Sequence, residues 1–155
     1  MSLRHHEIAE ARHRLLNPFT EEKLRLLGEV TRPERGERHL DLACGKGELL
    51  ARWAHDHGTD GVGVDISKAF LDAARVRAAE LGVADRLHFE HGDAGAYEAE
   101  QGGYDLVSCL GATWIGGGLQ GTLELMGRAA GPDARLIVGE VYWRAAPSPE
   151  ACAAL

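Results

Sequence analysis

A chain of 155 residues is enough for one domain with a single sizeable core. Hydrophobic residues make up 45% and charged residues 26%, the proportions of a water-soluble globular protein, and a net charge of −7 argues against non-specific nucleic-acid binding, which draws on clustered Lys and Arg. No apolar run is long enough to span a bilayer and no secretory signal is legible. The three cysteines, Cys44, Cys109 and Cys152, are too far apart for a disulfide framework or a zinc site, so a cytoplasmic location is expected.

The stretch from His5 to Leu16, with apolar Ile8, Ala9, Leu15 and Leu16, predicts a first helix, ended by Asn17-Pro18-Phe19. Thr20 caps a second, TEEKLRLLGEV, and a charged, turn-rich stretch follows. Strand and helix then alternate. RHLDLA predicts a strand, and GELLARWAHDHG a helix with Leu49, Leu50, Trp53 and Ala54 on one face. DGVGVDI is the second strand, SKAFLDAARVRAAELG a helix between a Ser67 cap and a Gly82 stop, and RLHFEHGD the third strand. The polar link from Ala94 to Gly103 is too short for a full helix. YDLVSCLG, QGTLELMGRAAGPD and ARLIVGEVYW predict a strand, a helix and a fifth strand. Five apolar strands separated by helices imply an α/β fold, a doubly wound, mostly parallel sheet with helices on both faces.

Right-handed crossovers bring all strand C-termini to one edge of such a sheet, where ligands bind. After the first strand comes DLACGKGE. Gly45 and Gly47 permit backbone angles closed to other residues and let a ligand approach the main chain. No G-K-[ST] closes the turn as in a P-loop, and Leu50 stands where a dinucleotide fingerprint has its third glycine. The plainer alternative is a tightened strand-to-helix turn. Asp65 ends the second strand some twenty residues on, placed to accept from both hydroxyls of a ribose, or else it is an aspartate beside a helix cap. Asp93 follows the third strand, placed to accept from the exocyclic amine of adenine, or else it forms an Asx turn. Together on one sheet edge, the three fit an adenosine and not a pyrophosphate.

LDLACGKGELLARWA, GVGVDIS, FEHGDA, YDLVSCLGATW and ARLIVGEVYW resemble, in order and spacing, the successive motifs of class I S-adenosylmethionine-dependent methyltransferases, over about Arg38 to Arg144. The resemblance implies a Rossmann-like fold with S-adenosylmethionine as cofactor. It places the methionine part of that cofactor at Ala43, Cys44, Gly45 and Gly47, with Asp41 just before them. The ribose falls at Asp65, the adenine at Ile66, Asp93 and Ala94, and the methionine side again at Cys109, Leu110 and Gly111. It also implies methyl transfer by direct displacement to a small-molecule acceptor. Two departures stand out. Ala43 replaces the family's first glycine, which is tolerable only if it keeps ordinary backbone angles. The family's last two strands, an antiparallel hairpin, do not appear, which suggests a truncated chain or a last edge covered by a partner subunit in a homo-oligomer.

Residues 1–36 are expected to form a helical segment, a candidate active-site lid with Asn17 and Phe19, and residues 37–155 the cofactor-binding domain. Trp114, Glu140 and Tyr142 are candidates to face the acceptor. The simpler roles are lid packing for Trp114 and core or edge packing for Tyr142 and Trp143. The pairs His5-His6, His55/His57 and His88/His91 are wrongly spaced to share a metal, and none is expected. A non-catalytic S-adenosylmethionine-binding module and an NAD-dependent oxidoreductase remain as alternatives.

Overall fold

The computed structural model describes residues 3–16, 19–140, 142 and 144–153, so the expectations for Asn17 and Trp143 lie outside the described residues. In chain order the helices and strands are α1 (Leu3–Glu10), α2 (Glu21–Thr31), β1 (Arg38–Leu42), α3 (Glu48–His57), β2 (Asp60–Asp65), α4 (Lys68–Glu80), β3 (Leu87–His91), β4 (Tyr104–Leu110), α5 (Leu119–Ala129), β5 (Ala130–Gly139) and α6 (Pro149–Ala153). The five strands form one sheet, every pairing parallel, in the order β3-β2-β1-β4-β5. The order reverses between β1 and β4, the switch point at which doubly wound sheets open a ligand crevice.

Alternation along the strands assigns each side chain to a layer. Leu40 and Leu42 of β1 join Val64, Val107, Cys109 and the α5 residues Met126 and Ala129 on one face. On the other, Leu50 and Ala54 of α3 pack with Leu71, Ala74 and Ala78 of α4 and with Phe89. Leu24 of α2 completes that side with Leu49, Trp53, Leu106 and Ile137. Burying such side chains stabilises by about 1.5–3 kcal/mol each.

Helix ends follow the local chemistry. Thr20 Oγ1 accepts from Lys23 N at 3.2 Å and Ser67 Oγ from Phe70 N at 3.2 Å, while Gly58 closes α3 in the left-handed region. Two expectations need correction. The first helix stops at Glu10 rather than reaching Leu16, because Lys46 Nζ takes the carbonyls of Glu10 (2.7 Å), Ala11 (3.3 Å) and His13 (2.5 Å) and holds that stretch as turns. The segment Ala130–Asp133 is strand, not helix. Ala130 pairs with Tyr104, a register shift follows, and Pro132 is tolerated because β5 is an edge strand. The link after β3 holds only a 3₁₀ turn at Ala94–Ala96.

Candidate functional site

The strand-to-helix turn after β1 is built by backbone geometry. Gly45 and Gly47 have φ of 55° and 65°, which glycine adopts without penalty. Ala43 has φ 58°, so the expectation that it keeps ordinary angles is overturned: an alanine holds a left-handed position. Cys44 N donates to Val64 O at 3.0 Å, and Gly45 N to Asp65 Oδ2 at 2.8 Å. The second Asp65 oxygen accepts from Ser67 N at 2.8 Å, so one carboxylate ties the glycine turn to the start of α4. The two glycines differ in role. A Cβ on Gly45 would stand 2.6 Å from Leu16 of the N-terminal segment, whereas one on Gly47 would meet Ala74 and Phe89 at 2.8 Å. Gly47 is a packing glycine.

Asp41, Ala43, Cys44, Gly45 and Leu110 line one pocket of about 80 Å³, with Lys46 from the turn and Leu15, Leu16 and Phe19 from the N-terminal side. Asp41 and Asp65 are both buried. Ser108 Oγ donates to Asp41 Oδ1 at 2.6 Å, and neither carboxylate has an ion-pair partner among the described residues. Burial, with Asp65 adding to it, raises the Asp41 carboxyl to about 7, and the bond from Ser108 opposes the rise. Burial also pushes the Cys44 thiol well up and that of Cys109 up to about 12, so both stay protonated.

The adenine-side candidates sit further along the edge. Ile66 is exposed, with its carbonyl 3.0 Å from His91 Nε2, and the backbone of β3 joins this end through Gly92 N donating to Asp65 O at 3.0 Å. Asp93 is exposed and its Oδ1 accepts from Gly95 N at 2.9 Å, the Asx-type arrangement, with Ala94 buried behind it. Gly111 N donates to Gly139 O at 2.7 Å, locking the end of β4 to β5. The acceptor-side candidates are open to solvent: Trp114 is 73% and Tyr142 81% exposed, and exposed Glu140 accepts from Thr113 Oγ1. The sequence reading missed Lys46, Ser108 and His39. The signal was present in RHLDLA, where His39 and Asp41 alternate with leucines and so share one face of a strand buried on both sides.

The fold is that of a Rossmann-like methyltransferase domain. The profile of the methyltransferase domain family matches residues 40–133, and the chain belongs to that family. The uncharacterized protein YjhP of Escherichia coli is 48% identical over 143 residues, which are 92% of this chain and 57% of that protein. A solved S-adenosylmethionine-dependent methyltransferase from Geobacter sulfurreducens, in complex with S-adenosylhomocysteine, superposes with TM-score 0.89 at 49% identity, over 93% of this chain and 57% of that one. The 27-O-demethylrifamycin SV methyltransferase of Amycolatopsis mediterranei is 35% identical over 75 residues, 48% of this chain and 28% of that protein. The chain thus spans a little over half the length of its two nearer relatives here. No described helix is long and apolar enough to cross a membrane.

Proposed function

We propose that the chain is the cofactor-binding domain of an S-adenosylmethionine-dependent methyltransferase acting on a small-molecule acceptor. The observation that carries this is the pair of buried carboxylates, Asp41 and Asp65, at adjacent strand ends and bonded only to neutral donors. That pair of acceptors suits a ligand with hydroxyls and positive charge and disfavours a pyrophosphate. Asp65, whose oxygens keep lone pairs beyond the two backbone amides, takes the ribose hydroxyls. Asp41, Ala43, Cys44, Gly45 and Cys109–Gly111 surround the methionine part, with Gly47 packing the turn from behind, and Ile66, Asp93 and Ala94 surround the adenine. The complex of the Geobacter relative supports the ligand class.

Bound S-adenosylmethionine supplies an electrophilic methyl group on a sulfonium, so the chain's task is alignment and exclusion of water. Orientation of this kind is worth about 7–11 kcal/mol when reacting atoms are held near attack distance. The N-terminal segment is placed to act as the lid. Leu16 rests on Gly45, His6 packs edge-on against Phe70 at 5.4 Å, and Ser67 Oγ donates to Glu7 at 2.6 Å. Trp114, Glu140 and Tyr142 lie toward the acceptor. The net charge of −7 disfavours a nucleic-acid acceptor, and the rifamycin-directed relative is an instance of a small-molecule one. Calorimetry with S-adenosylmethionine, S-adenosylhomocysteine and NAD tests the reading: both sulfur ligands bind and NAD does not. Asp65→Ala weakens both by at least about tenfold, the worth of one hydrogen bond to a charged acceptor. No binding of either sulfur ligand overturns the assignment.

A further inference from the structure

The pocket at the glycine turn is lined by charge of both signs, and one of its cations has donors to spare. Its carboxylates are Asp41 and Glu48, and its cations are Lys46 of the turn and Arg14 of the N-terminal segment. Glu48 is neutralised in place, with Oε1 at 2.7 Å from Arg52 Nε and Oε2 at 3.0 Å from Arg77 Nε. Lys46 is spent: an ammonium carries three protons, and the carbonyls of Glu10, Ala11 and His13 take all three. Three amides of the turn are spent as well, Cys44 N on Val64 O, Gly45 N on Asp65 Oδ2 and Gly47 N on Cys44 O.

Arg14 differs from all of these. A guanidinium has five N–H donors, and among the described residues only Nη1 is engaged, at 3.3 Å from Glu80 Oε2. That contact is a surface pair with both side chains about half exposed, of the kind that contributes little and is readily exchanged. Glu80 is moreover shared with Arg77, at 3.1 Å. Arg14 thus lines the pocket with Nε and Nη2 unused, close along the chain to Leu16, which rests on Gly45.

We propose that Arg14 binds the carboxylate of the cofactor's methionine part on this unused Nε–Nη2 edge. The inference rests on the S-adenosylmethionine reading above. A methionine moiety brings one ammonium and one carboxylate into the pocket. Asp41 is there to accept from the ammonium, and for the carboxylate the pocket offers one cation with free donors, whose planar edge matches two carboxylate oxygens as a bidentate pair. Because Arg14 belongs to the N-terminal segment, the contact ties the lid to the ligand, so that a cofactor carrying its carboxylate draws the segment onto the glycine turn. The methylated cofactor and its demethylated product both carry this carboxylate; the residue reads the amino-acid end and does not distinguish the two.

Calorimetry on the whole chain compares S-adenosylmethionine with decarboxylated S-adenosylmethionine, which keeps the sulfonium and the amine and lacks only the carboxylate. Wild type binds the intact form at least about tenfold more tightly, the worth of a hydrogen-bonded charge pair. Arg14→Gln brings the two affinities together by weakening the intact form alone. Arg14→Lys, a point charge without the planar fork, retains part of the preference. Glu80→Gln, which removes the surface pair and leaves the guanidinium, retains all of it. Hydrogen exchange gives a second readout: across residues 3–16 the intact cofactor slows exchange more than the decarboxylated one in wild type, and equally in Arg14→Gln. Equal losses for the two ligands in Arg14→Gln make Arg14 a prop of the segment and overturn the carboxylate role, as does a wild type that binds both ligands alike; the cofactor assignment survives either result. Failure of both ligands to bind wild type overturns the role together with that assignment.

Discussion

Ala43 occupies a left-handed backbone position, φ 58°, inside a turn whose other two such positions, Gly45 and Gly47, are glycines. A Cβ there meets the following carbonyl oxygen, at a cost of about 1–2 kcal/mol, part of which glycine would return as unfolded-state entropy. Ala43→Gly is therefore expected to stabilise the domain by about 0.5–1 kcal/mol. Chemical denaturation checks it by a higher midpoint at unchanged slope; a lower midpoint would show that the alanine methyl, half-buried at the pocket wall, contributes more by packing than it costs in strain. Gly47 would not tolerate the reverse change, since its missing Cβ is the room that Ala74 and Phe89 occupy.

Among the elements, the end of α1 is tied to the glycine turn by one side chain. The Lys46 ammonium joins the carbonyls of Glu10, Ala11 and His13 and lies 5.7 Å from the centre of the Phe70 ring, and burial lowers its affinity for a proton. Lys46→Met leaves those carbonyls to solvent and frees α1 from the glycine turn. Hydrogen exchange should then accelerate across residues 3–16 and trypsin cut sooner at Arg12 and Arg14, while exchange in β1 and β4 is unchanged. Acceleration spreading equally through the sheet would contradict a local anchor. The same contact explains what the sequence hid. Strands, caps and the glycine turn were legible because period, cap residues and Gly/Asp punctuation are local signals. The end of α1 was not, because a lysine more than thirty residues away terminates it. The start of β5 was missed for a related reason: the AAGPD stretch reads as a helix exit, and only pairing of Ala130 with Tyr104 makes it strand. In the site, Asp41 and Asp65 stood out as acidic residues at strand ends, whereas Ser108 acquires its role only when β4 lies beside β1.

Across the whole molecule, the buried pair His39 and Asp41 of β1, bridged by Ser108 Oγ at 2.7 and 2.6 Å, has an effect on stability that either partner alone would make conspicuous. His39 is held down to about 3 by desolvation, while the Asp41 carboxyl is raised to about 7. A depressed histidine contributes stability that is present above its ordinary value of 6.5 and lost as pH falls through 3; a raised carboxyl contributes stability present below 3.8 and lost as pH rises through 7. Between about pH 4 and 6.5 the folded state therefore lacks one proton at His39 and holds one extra at Asp41, and the two slopes, each about 1.4 kcal/mol per pH unit, cancel. The contribution of this pair to stability is therefore nearly independent of pH in that window. Removing either member exposes the other. Relative to wild type, Asp41→Asn should gain stability with rising pH over the window, and His39→Gln should lose it, by about 1 kcal/mol per unit in each case. Urea denaturation at half-unit steps from pH 4 to 6.5 measures both slopes on the same samples. Parallel profiles for the three proteins would show that neither group titrates with folding, whereas divergence in opposite directions would establish that β1 holds two buried groups neutral, His39 and Asp41, whose proton shifts compensate.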